Sequence, residues 1–171
     1  MAELNRPNYG RNKILMFRLL SEADQKDAAK LALQTEHTWS YERSADQTQT
    51  KDGPVNASGG LSVTLDITAI SSKDAVNEML KQSVIDGETL EVWEIDLASK
   101  TSDNKYSALY ARGNLSTWEV PSNVEDLETI STSMSIEGKP QAGEATLSAE
   151  HLAEIEAAYT FQDTTKQSAT E

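Results

Sequence analysis

Two histidines, no cysteine and 28 carboxylate side chains bound the chemistry open to this 171-residue chain. Without cysteine, disulfides, thiolate metal sites and cysteine nucleophiles are excluded. His37 shares its phase with Trp39 and Tyr41 in an alternating run, the setting of a hydrogen-bonded core or interface histidine rather than of a base. His151 lies in a short amphipathic stretch with no second His or Cys at a ligand spacing. No GxSxG, glycine-rich phosphate loop or HExxH occurs. EVWEIDL gathers carboxylates but lacks the DxDxDG loop that specifies calcium. A glycosidase needs two carboxyls converging on one bond, whereas Glu36, Glu42, Asp66 and Glu94 are spaced along strands like solvated faces. The chain therefore reads as non-enzymatic, with no catalytic residue, cofactor or metal site.

The elements that position these side chains are mostly strands. Leu31, Leu33, Thr35, His37, Trp39 and Tyr41 alternate with Gln34, Glu36, Thr38, Ser40 and Glu42. Leu61, Val63, Leu65, Ile67 and Ala69 alternate likewise with Ser62, Thr64, Asp66 and Thr68. A period of two makes two-faced strands, one face buried and one wet. The spacing predicts a long β-hairpin over 30–70. SADQTQTKDGPVNASGG at 44–60 exceeds an ordinary hairpin connection and is expected to be a soft loop. Such a hairpin suits a sheet used as a surface, not as a pocket.

Elsewhere, 13–20 is apolar on both phases and fits a strand covered on both faces. The period changes at 71–86, where Val76, Met79, Leu80 and Val84 form a helical stripe, with Ser71 or Ser72 as N-cap and Gly87 as stop. Strands return at 90–97, where the phase slips, at 106–120, with an irregularity at Gly113, and at 127–137; GKPQAG at 138–143 reads as a linker. Residues 1–12 are expected to be an arm, 13–147 a β domain, 148–162 a helix-like segment with Leu152, Ile155 and Tyr159 on one side, and 163–171 a disordered tail. Trp39, Trp93 and Trp118 have apolar neighbours and fit core or subunit packing better than a sugar-stacking platform.

The formal charge of −13 argues against binding nucleic acid or an anionic membrane by neutralisation. RNKILMFRLL imitates a signal peptide, but Arg18 interrupts the run and no small-residue cleavage site follows. The expected product is a soluble protein without a membrane span. The sequons at Asn56 and Asn114 carry little weight in that setting.

Residues 34–87, QTEHTWSYERSADQTQTKDGPVNASGGLSVTLDITAISSKDAVNEMLKQSVIDG, with LEVWEIDL and SALYARGNLSTWEVPSNVEDLETISTSMSIEGKPQAGEATL, resemble the major tail proteins of long, non-contractile-tailed phages of lactococci and related Gram-positive hosts. The resemblance covers roughly 12–147 and contains no catalytic motif. It implies a mainly β, tail-tube fold: a β-sandwich or half-barrel sheet with one packed helix (71–86), resembling the tube protein of type VI secretion. It further implies a structural virion protein, assembled in the host cytoplasm, whose hexameric rings stack into a tube that conducts genome DNA to the host. Its partners would be further copies of itself and the initiator or baseplate, tape-measure and terminator components, with DNA passing without specific binding.

On that resemblance the polar phase, Gln34, Glu36, Thr38, Ser40, Glu42, Ser62, Thr64, Asp66 and Thr68, is expected to face the lumen. The loop carrying Asp46, Thr48, Thr50, Lys51, Asp52, Gly53, Pro54, Asn56 and Gly59 is expected to reach neighbouring subunits or rings. A carbohydrate-binding or adhesin β-sandwich is the alternative, and would expose at least two tryptophans on one platform.

Overall fold

The computed structural model describes residues 7–101 and 103–157, the side chains of 156 and 157 excepted. Strands β1 (Lys13–Leu19), β2 (Ala29–Lys30), β3 (Gln34–Thr50) and β4 (Gly53–Ile70) precede helix α1 (Ala75–Asp86). Then come β5 (Leu90–Asp96), β6 (Lys105–Leu115), β7 (Thr129–Ile136), β8 (Gln141–Thr146) and helix α2 (Ala149–Ala157). All strands belong to one sheet, antiparallel throughout, in the order β2-β1-β5-β6-β7-β4-β3, with β8 also on β6.

The sheet rolls on itself. Its interior holds Leu15 and Phe17 of β1, Leu65, Ile67 and Ala69 of β4, Leu90 and Val92 of β5, Leu115 of β6 and Met134 of β7, closed by Leu80 of α1. Each of these side chains apart from Ala69 contributes about 1.5–3 kcal/mol by leaving water. Ile14 and Met16 point to the other face, where Ile95, Tyr106 and Leu147 pack with Leu152 and Ile155 of α2. The doubly apolar run at 13–20 thus serves two cores, and the phase slip in β5 is two-sided burial with an unbroken register against β1 and β6.

The helix stripe packs as its spacing predicts, but α1 starts at Ala75 and its cap is Asp74. The Asp74 carboxylate accepts from the Asn77 amide at 2.8 Å and binds Ser72, so Ser72 supports the cap instead of forming it. Gly87 ends the helix at φ +69°, its N–H donating to the Ser83 carbonyl. Gly113 has a different cause: a Cβ there would lie 1.9 Å from the Ser135 carbonyl oxygen, where β6 begins to pair with β7.

Three expectations are corrected. The segment 138–143 is not all linker: after a turn at Gly138, Gln141–Thr146 pair with β6, held by backbone bonds that leave no apolar period in QAGEAT. The hairpin begins at Gln34, not 30, because Leu33 takes a positive φ of 53° before the strand. The soft loop at 44–60 is instead paired strand. Asp46, Thr48, Thr50, Gly53, Pro54, Asn56 and Gly59 all lie in β3 or β4, and only Lys51 and Asp52 turn. Pairing needs only backbone groups, so a polar, all-exposed ribbon leaves no hydrophobic signature. The tail at 163–171, Tyr159 and residues 1–6 of the arm lie outside the described residues.

Candidate functional site

β3, β4 and β7 build one polar surface by register alone. Glu36 pairs with Thr68, Thr38 with Asp66, Ser40 with Thr64 and Glu42 with Ser62. The rows continue onto β7, where Thr68 meets Ser131, Asp66 meets Ser133 and Thr64 meets Ser135, and Ser135 meets Asn114 of β6. Hydroxyls, one amide and three carboxylates occupy these rows, and none holds a lysine or arginine. Directly behind them Val63, Leu65, Ile67 and Ala69 are buried. The alternation Thr129, Ser131, Ser133, Ser135 was the signal for the β7 part, but nothing in sequence fixed β7 as the neighbour of β4.

Gln34 does not belong to this surface. Thr35 is an extra residue between the Gln34–Ala69 and Glu36–Thr68 pairs, and this bulge turns Gln34 to the phase of His37 and Trp39. Its amide instead closes the roll: Oε1 accepts from the Leu15 N–H at 2.9 Å, while Nε2 donates to the carbonyls of Leu15 and Leu31. The Leu15 N–H thereby gains an acceptor, and the Leu15 carbonyl, which also accepts from the Leu31 N–H, gains a second donor.

Glu94 likewise leaves the solvated set. Its Oε2 lies 2.7 Å from both His37 Nε2 and Trp39 Nε1 of β3, and its Oε1 accepts from Lys13 Nζ of β1 at 3.2 Å. Burial opposes its ionisation, yet the bonds from His37 and Trp39 and the Lys13 ammonium outweigh burial and hold the carboxyl at about 2. An ionised carboxylate only accepts, so it is His37 Nε2 that donates in this bond. His37 is thus a half-buried, hydrogen-bonded histidine, in keeping with the core or interface role its phase predicts, and it lines a cleft with Trp39 and Glu94.

A second buried acid, Glu91, accepts from Arg18 Nε and from the Tyr110 hydroxyl, each at 2.7 Å. Burial first, then the Glu91 carboxylate, push the Tyr110 hydroxyl up to about 12. These bonded carboxylates brace strands and face no open cleft together. Among the described residues no cluster of three or more His, Cys, Asp or Glu is placed to hold a metal ion. No described helix is long and apolar enough to cross a membrane. Trp39 and Trp118 pack half-buried against the first core cluster and Trp93 against the second, so no two indoles stand exposed as a platform.

Beyond the rows the hairpin continues as a free ribbon. Gly59 and Gly60 stand opposite the single residue Ser44, a bulge so close that a Cβ on Gly59 would meet Ser44 Oγ at 1.9 Å. Past it, Ala45–Thr50 pair with Gly53–Ser58, extending about 20 Å at the usual rise per residue. Nearly every side chain on the ribbon is exposed, Val55 among them. β3 ends the strand order, so the outer edge of its 17 residues bonds no other strand among the described residues.

A family model described as phage tail tube protein matches residues 8–142. The chain belongs to the phage tail tube protein family. Its fold is similar to that of the SPP1 tail tube, with a TM-score of 0.76 at 19% identity over 95% of each chain. It also resembles a chain of the tail of an empty gene transfer agent particle refined with C6 symmetry, with a TM-score of 0.60 at 12% identity over 80% of this chain and 99% of that one. No curated protein matches the chain in sequence. A tail tube protein is a structural component of a virion, and the mainly β tail-tube fold expected above is the one this chain shares with these solved tails.

Proposed function

We propose that this tail tube protein assembles as six-membered rings stacked into a tube, with the rows on β3, β4 and β7 lining the conduit for genome DNA. The observation that carries this reading is the pairing of those rows with an unpartnered β3 edge. An open edge on a half-wet sheet invites aggregation unless a neighbour completes it. A heterologous contact repeated around six copies closes the sheet into a barrel and leaves two ring faces for stacking. Sixfold symmetry is supported by the C6 tail of the gene transfer agent, whose fold this chain shares.

The surface suits passage, not capture. Six copies at −13 carry −78 formal charges, a potential that repels phosphates. Glu36, Glu42 and Asp66 set that charge on the rows, and the hydroxyls between them keep the wall wet. The chain itself needs no catalysis for this role. The ribbon at 45–58 reaches a neighbouring subunit or ring, and initiator, tape-measure and terminator components act at the ends of the tube. Assembly in the host cytoplasm, and long non-contractile tails on lactococcal or related Gram-positive hosts, rest on the sequence resemblance alone. Negative-stain electron microscopy of the concentrated protein, beside size-exclusion light scattering, tests the role: hollow tubes or sixfold rings are expected, and a stable non-ring oligomer that binds glycans would overturn it.

A further inference from the structure

The two lateral edges of the polar sheet are unlike, and they lie at one level. On the β7 side, Glu119 bridges to Ser131, which is in row with Thr68 and Glu36. The chain then runs through 120–128 back to Thr129, paired with Ile70, whose N–H donates to the Leu33 carbonyl on the β3 side. The loop at 120–128 and the start of β3 are therefore at the same height along the strands, at opposite edges.

The loop presents apolar side chains to water: Val124 is fully exposed and Leu127 is 73% exposed. Between them stand Glu125 and Asp126, which form no ion pair among the described residues. The opposite edge has a cleft of about 760 Å³ lined by Arg11, Lys30, Leu33, Trp39 and Ile155. Leu33 is 56% exposed, and Arg11 and Lys30 have no carboxylate partner among the described residues. Glu36, Glu154 and the Lys13-paired Glu94 also line this cleft, so the charge match is local to Arg11 and Lys30.

We infer that the 120–128 loop of one copy docks in this cleft of the next copy within the ring, Val124 and Leu127 against Leu33 and Ile155, Glu125 and Asp126 against Arg11 and Lys30. The contact presupposes the rings proposed above and says which surfaces join them. Two different patches at opposite edges make it heterologous, and equal height makes it close as a flat ring instead of climbing into a filament.

The absence of cysteine allows a direct test. A variant with Leu33→Cys and Leu127→Cys is assembled and treated with a short bismaleimide, with each single variant as control. The expected result is a covalent ladder ending at six copies from the double variant, with neither single variant passing dimer. A ladder running past six would place the contact between rings and overturn the inference, as would tubes that do not cross-link. Independently, Lys30→Glu should abolish rings and Asp126→Lys added to it should restore them; rings unaffected by Lys30→Glu would contradict the contact. Wild-type tubes beside such negative results leave the tail-tube role standing, whereas a wild-type chain that forms neither rings nor tubes removes both.

Discussion

Glu94 on β5 accepts a 2.7 Å hydrogen bond from the Trp39 indole on β3, across a roll that places β6, β7 and β4 between them in the sheet. With His37 and Lys13 on the same carboxylate, this bond ties β3, at one end of the strand order, to β5 and β1 near the other. It holds the wet face of β3 and β4 outward by fixing their dry face inward.

Acid should loosen that tie. The folded-state carboxyl titrates at about 2 against an ordinary 4.5, so its stabilisation is fully present above about 4.5 and is lost as pH falls towards 2. The difference is worth roughly 3 kcal/mol at neutral pH. Glu94→Gln should cost about that much and flatten the pH dependence between 4.5 and 2, as read by urea unfolding at several pH values.

Gly113→Ala should be the most damaging glycine substitution on the sheet. Its Cβ would strike the Ser135 carbonyl oxygen, and neither backbone can retreat without breaking the β6–β7 register. A loss of more than about 3 kcal/mol is expected in thermal unfolding. Gly143→Ala, where a Cβ meets nothing within 4 Å, should change stability by less than about 0.5 kcal/mol.

Gln34→Ala should open the seam between β1 and β3. It removes the acceptor for the Leu15 N–H and the donor to its carbonyl, at a cost of about 1–3 kcal/mol. Hydrogen exchange should show faster exchange at Leu15 with Phe17 little changed.

Replacing Glu42 and Asp66 with lysine should leave tubes intact, because both side chains are exposed and their backbone pairs are unaffected. Twelve ammonium groups per ring would then face the DNA and bind it in a salt-dependent way. Virions carrying these changes should eject DNA more slowly at low salt and recover as salt rises.

Shortening the ribbon tests assembly separately from folding. Removing 46–57 and joining Ala45 to Ser58 through Asn-Gly keeps the body, since nothing past the Gly59–Gly60 bulge enters either core. A folded monomer that forms no tubes is expected by circular dichroism and electron microscopy.

What the sequence showed clearly was alternation backed by burial. Val63, Leu65, Ile67 and Ala69 against Ser62, Thr64, Asp66 and Thr68 state a two-faced strand, and the α1 stripe states its packing face. What it hid depends on single residues or on backbone alone. Thr35 shifts the phase and carries Gln34 from the wet face to the seam. The 45–58 ribbon and β8 pair without fully buried apolar side chains, so composition reads them as loop and linker. Glu94 looked solvated because its partners, Lys13, His37 and Trp39, are distant in sequence. The serines of β7 alternated in plain view, but only the order of strands put them beside Thr64, Asp66 and Thr68.

Cryo-electron microscopy of assembled tubes tests the central claim most directly. Sixfold rings with Thr38, Asp66 and Ser133 on the channel wall are expected. Rings that turn this row outward, or bury it between subunits, would contradict it.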